Sequence, residues 1–115
     1  MQDYEARFQK FSTTNQPPLC LGIAREDFFD PATPEPFREA YGRYLHKRVR
    51  ALAQLLIDQD AVEELAQVEA LGWLDNRLLR EFAAQAEKSR KIGAWVWLLG
   101  RLQETQGFRR EDFSL

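Results

Sequence analysis

At 115 residues the chain falls in the size range of one domain, long enough to hide roughly two thirds of the surface it exposes unfolded, and its 44% hydrophobic and 30% charged content excludes wholesale disorder. Sixteen basic against eighteen acidic side chains leave a net charge of -2, so the molecule as a whole sets up no attraction for a nucleic-acid backbone. The single cysteine, Cys20, excludes an intramolecular disulfide framework and a multi-cysteine zinc site, and fits a reducing compartment.

The chain opens Met1-Gln2-Asp3-Tyr4-Glu5, with no basic start leading into an apolar stretch, so a secretory signal is not expected. No apolar run approaches the roughly 20 residues that cross a bilayer. The expectation is a cytoplasmic protein without membrane contact.

Tyr4, Phe8 and Phe11 recur at i, i+4 and i+7 among charged residues, which predicts a short amphipathic helix. So short a helix persists only if its aromatic stripe docks on the rest of the molecule. From Ser12 to Pro36 two proline clusters, Pro17-Pro18 and Pro31 to Pro36, remove backbone donors and predict an irregular arm. Leu19 to Ile23 and Phe28-Phe29 are too apolar for a free linker and are expected to pin that arm to the helices. Cys20 reads as a half-buried member of the first group.

Thr33-Pro34-Glu35 has the residues of a helix start, with the threonine as N-cap. The stripe Phe37, Tyr41, Leu45, Val49, Leu52 and Leu56 then predicts one long helix reaching Ile57. Asp58-Gln59-Asp60 breaks it, and Asp60 with Glu63 has the spacing of a capping box for a helix over about 61–71. Val62, Leu65 and Val68 are placed inward on that helix, and Gly72 closes it. Asp75 is expected to cap a third helix with Leu78, Leu79, Phe82, Ala83 and Ala86 on its apolar face, and Arg77, Arg80, Glu81, Gln85 and Lys88 opposite. Ser89 is expected to cap a fourth, over about 90–105. Its stretch Ile92 to Leu99 is apolar on every side, which predicts the buried helix of the set.

The segment Leu55 to Ala66, closing with Leu71-Gly72, resembles the middle of an ankyrin repeat. Asp58-Gln59-Asp60 stands at the polar turn between helices, Val62 and Leu65 at apolar positions of the outer helix, and Gly72 at the closing glycine. Phe82-Ala83-Ala84, Lys88-Ser89-Arg90, then Ile92, Val96 and Leu99-Gly100 echo the pattern, so the likeness covers roughly residues 50–102. Neither unit carries the family's Thr-Pro-Leu-His start. The resemblance implies a short stack of helix-turn-helix units, and a protein-binding role. Two units are fewer than the three or so that such stacks need, so something must cap this one: the N-terminal arm, a second copy or a partner.

The expected fold is therefore all-α, two consecutive helix-turn-helix units in a short ankyrin-like stack or helical bundle, behind an irregular Pro-containing arm. The expected organisation is a single domain, with a short helix and arm over 1–36, a four-helix body over 37–105 and a tail over 106–115.

Chemistry-bearing motifs are scarce. His46 is the one histidine, so a histidine cluster is excluded, and a Cys20–His46 nucleophile and base would need the arm folded onto the long helix. The six glycines are scattered and build no phosphate cradle. No cofactor is expected, and an enzyme is the minority reading. Arg43, Lys47 and Arg50 share one face of the predicted long helix and could meet phosphates or an acidic partner, the solvated-face reading standing beside this one. Trp95 and Trp97 lie about 200° apart on one helix, so one fills the core while the other faces outward. Trp73 and Trp97 are the expected protein contacts, although core packing explains them too. The function that follows is a non-enzymatic protein-interaction or scaffolding module, with nucleic-acid binding through the 38–50 region as the alternative.

Overall fold

The computed structural model describes residues 3–105 and is all-helical over them, with seven helices: α1 Tyr4–Thr13, α2 Pro17–Phe28, α3 Glu35–Lys47, α4 Val49–Asp58, α5 Val62–Ala70, α6 Asn76–Lys88 and α7 Ile92–Thr105. The tail expected over 106–115 lies outside the described residues. Two compact units divide at Leu52 and Ala53, within α4.

In the first unit, α1 starts where the Asp3 carboxylate accepts from the Ala6 N–H at 3.0 Å, satisfying one of the donors that every helix start leaves open. Its aromatic stripe docks on α3, as so short a helix requires. Phe8 stacks on Phe37 with ring centroids 4.7 Å apart, and Phe11 meets Tyr41 and Tyr44 edge-on at 4.9 and 5.0 Å.

Where an irregular arm is expected, the structure has α2. Pro17 and Pro18 occupy its first two positions, where a missing N–H costs nothing because no helical carbonyl awaits it. The Gln16 carbonyl accepts from Leu19 and Cys20 instead, at 3.0 and 3.1 Å. Ile23, Ala24 and Asp27 form the buried edge of α2, which packs against α3. Of the second proline cluster, Pro31 and Pro34 stand in the short turn between α2 and α3, and Pro36 lies in the first turn of α3.

Thr33 does not cap α3. Pro34 holds that position, while the Thr33 hydroxyl is buried and donates to the Asp27 carbonyl at 2.6 Å. The long helix expected from Phe37 to Ile57 is two helices, broken at Arg48, whose backbone leaves helical values (φ -120°, ψ 40°). No proline or glycine stands at the break, so local propensity does not cause it. The Arg48 guanidinium lies 4.0 Å over the Tyr44 ring, a cation–π contact that ties the kinked residue to α3.

The second unit is built around α6, whose Leu78, Leu79, Phe82, Ala83 and Ala86 are all buried on the face that the sequence assigns. Burying each large member contributes about 1.5–3 kcal/mol. Asp75 caps this helix, accepting from the Leu78 N–H at 2.8 Å. Gly72 takes the left-handed conformation (φ 83°) after α5.

Three expectations for this unit change. Ala61, not Asp60, precedes α5, and no side chain caps that helix. Ser89 donates its hydroxyl back to the Gln85 carbonyl at 2.8 Å instead of capping α7. Nor is α7 wholly buried: Ala94 and Leu98 are, whereas Ile92, Val96 and Leu99 are exposed.

Candidate interaction surface

The turn between α4 and α5 and the turn between α6 and α7 are the same structure thirty residues apart. Asp60 and Arg90 are the two non-glycine residues with positive φ, at 53° and 61°, among the described residues. One position further on, the Ala61 N–H donates to the Leu56 carbonyl at 2.8 Å and the Lys91 N–H to the Ala86 carbonyl at 2.9 Å. These i→i-5 bonds close each leading helix in the manner of a Schellman ending.

The first turn holds the second helical hairpin. The Asp60 carboxylate accepts from the Ala94 N–H at 2.7 Å, so it caps α7 across space, an anion at the positive end of a helix dipole. Gly93 makes that approach feasible, because a Cβ there would lie 2.7 Å from Asp60 Oδ2. A second tie joins α5 to α7, where Arg101 Nε sits 2.8 Å from a Glu69 oxygen, and Arg101 also meets Glu104 at 2.7 Å.

On the far side of α7 the stack is open. Ile92, Val96 and Leu99, spaced i, i+4 and i+7, are 60%, 58% and 43% exposed, so they form one apolar row. Sequence reasoning missed this row because every face of α7 is apolar, and periodicity cannot choose among faces that are alike. The exchange of Glu69 for Leu99 at equivalent turn-based positions was the available signal: a residue that makes an ion pair in the first hairpin is replaced by an exposed leucine in the second.

The two tryptophans expected to mark contacts, Trp73 and Trp97, are both half-buried, and so is Trp95. In the first unit Arg43, Lys47 and Arg50 are exposed. The helix break divides them, with Arg43 and Lys47 on α3 and Arg50 on α4, so they do not share one helix face. Arg43 already meets Glu39 at 3.4 Å.

Cys20 Sγ rests against the Phe11 and Thr14 carbonyls at 3.6 and 3.9 Å, and His46 is exposed in the last turn of α3. A shallow apolar groove of about 430 Å³ is lined by Pro17, Pro18, Leu21, Tyr44, Arg48 and Ala51. No group of three or more His, Cys, Asp or Glu is arranged to hold a metal among the described residues, and no helix among them is long and apolar enough to cross a membrane.

The most buried charge among the described residues belongs to Asp27, whose side chain is 1% exposed. Its carboxylate accepts from Arg7 Nε at 2.9 and 3.0 Å and from the Tyr41 hydroxyl at 3.3 Å, which satisfies it in the way that a buried charge requires. This cluster ties α1, α2 and α3 together. Burial first, then the Asp27 charge and the shared hydrogen bond, push the Tyr41 phenol up to about 12.

A consequence for pH follows. An unfolded tyrosine ionises near pH 10, and the fold favours the protonated phenol, so the contribution of Tyr41 is complete below about pH 10 and is lost between about pH 10 and 12. Alkaline thermal melts of Tyr41→Phe are expected to fall less steeply over that window than those of the wild type. Parallel slopes would show that Tyr41 is not the group responsible.

The chain matches no protein-family model, no curated protein and no solved structure.

Proposed function

We propose that this chain is a non-enzymatic protein-interaction or scaffolding module, and that its second unit is a short ankyrin-like stack whose open side along α7 receives the partner. The exposed row Ile92, Val96 and Leu99 carries the reading. A helical repeat leaves an apolar face that its neighbour must cover, and among the described residues nothing covers this one.

The repeated left-handed turn supports the stack. Its thirty-residue spacing is slightly shorter than the ~33 of ankyrin repeats, and the connection from Leu71 to Asp75 joins the hairpins without a strand. Nucleic-acid binding through Arg43, Lys47 and Arg50 stands behind this reading, because the three residues are shared between two helices and Arg43 has a carboxylate partner.

A photo-crosslinking side chain placed at Val96 tests the proposal in the host cell. A discrete adduct with a second polypeptide is expected, lost when Ile92→Asp is added and absent when the probe sits at exposed Glu63 on α5. Equal labelling from both positions would sink the reading. An adduct of twice the chain mass would identify self-association as the form that the interaction takes.

A further inference from the structure

The two equivalent turns carry opposite charge at equivalent places. Asp58 and Asp60 in the first correspond to Lys88 and Arg90 in the second, and Ala61 corresponds to Lys91. In the first turn the acid has a defined task, since Asp60 accepts from the N-terminus of the next hairpin's helix at 2.7 Å. Thirty residues later the same backbone conformation presents a guanidinium, which has no acceptor to offer. A cation against a helix N-terminus is repelled by the same dipole that attracts Asp60. The α6–α7 turn therefore lacks the cap that the first turn offers a following hairpin.

Lys88 and Arg90 are exposed and Lys91 is half-buried. Glu87 is the sole acid between Ala86 and Trp95. None of the three cations has an ion-pair partner among the described residues. The apolar row Ile92, Val96 and Leu99 begins immediately after them, on α7.

We propose that the open side of α7 binds an amphipathic helix with an acidic C-terminal turn. The apolar face of that helix covers Ile92, Val96 and Leu99, while its carboxylates and free terminal carbonyls meet Lys88, Arg90 and Lys91. The inference rests on the interaction-module reading and adds the chemistry of the partner. Cations belong at the C-terminal end of a helix as anions belong at its N-terminal end, so the exchange of Asp60 for Arg90 reverses the end that this face accepts. Apolar contacts supply the affinity, and the charges select partner and direction.

Two synthetic helices of about sixteen residues test this. They share one leucine row at i, i+4 and i+7 and differ only in the last turn, which carries glutamates and a free carboxylate in one and lysines and an amide in the other. Lysines favour that end of an isolated helix, so helicity alone biases the comparison against the proposal.

Titrated into the isotope-labelled full chain at low salt, the glutamate peptide is expected to shift the backbone amides from Lys88 to Leu99. It is expected to bind at least about tenfold more tightly than the lysine peptide, a gap of roughly 1.4 kcal/mol. The order is expected to invert in K88E/R90E/K91E, and Val96→Asp is expected to abolish both interactions.

Equal affinity for the two peptides would overturn the charge selection while leaving the crosslinking result from Val96 intact. Binding of neither peptide would overturn the proposed partner. A concentration-dependent dimer dissolved by Val96→Asp would overturn it as well, by identifying a second copy as the occupant.

Discussion

Arg7→Met is expected to weaken the unit formed by α1, α2 and α3 by about 3–5 kcal/mol, the usual cost of stranding one member of a buried ion pair. The single Nε–H of Arg7 is shared between both oxygens of the Asp27 carboxylate, and the Asp27 side chain has almost no access to water. Without the guanidinium the buried charge keeps the Tyr41 hydroxyl at 3.3 Å and little else. The outer half of the pair matters much less, because Arg7 Nη2 meets Glu26 at 2.8 Å where that carboxylate is 61% exposed, and exposed pairs contribute about 0–1 kcal/mol. Glu26→Gln is thus expected to be nearly silent in the same urea titration. Adding Asp27→Leu to Arg7→Met is expected to return part of the loss by removing the stranded charge, and Tyr41→Phe part of the remainder by removing the orphaned hydroxyl. A loss below about 1 kcal/mol for Arg7→Met would show that this carboxylate does not depend on its guanidinium.

The second large effect is a change of sign. Glycine to alanine inside a helix ordinarily stabilises by up to about 1 kcal/mol, yet Gly93→Ala is expected to destabilise this protein. The new Cβ would stand 2.7 Å from Asp60 Oδ2, and the carboxylate, being the flexible partner, would swing off the Ala94 N–H. The cost is that of a lost N-terminal cap, about 0.5–2 kcal/mol. Asp60→Gly alone removes the cap while keeping the left-handed backbone unstrained, so it is expected to destabilise by a similar amount. In that background Gly93→Ala meets no carboxylate and is expected to stabilise. The double-mutant cycle therefore carries a coupling energy that neither single variant shows. Additive effects would mean that Asp60 and α7 are not coupled.

Much of the helical frame was legible from local signals. Asp75 at a helix start and the five apolar residues of α6 lie where capping chemistry and a 3.6-residue period put them. The left-handed Gly72 follows its helix for an equally local reason. The misreadings share a cause. Pro17 and Pro18 were equally compatible with a loop and with a helix start, and the choice depends on whether the following apolar residues find a partner, which α3 provides. A capping box is a sequence pattern and assigns Asp60 to its nearest helix, whereas the helix that it caps begins more than thirty residues later. Trp73 and Trp97, the expected contacts, are half-buried, while the exposed row on α7 is aliphatic.

By itself the sequence determined the helical class, most of the helix boundaries in the second half and the identity of the core residues on α6, because propensity, capping and periodicity act over a few residues. Only the tertiary structure decided that Thr33 and Asp27 turn inward, that the chain breaks at Arg48 and that Asp60 serves α7. The exposed face of α7 was decided in the same way. Each of these depends on which groups meet across long separations in the chain, where burial and hydrogen-bond demand outweigh local preference.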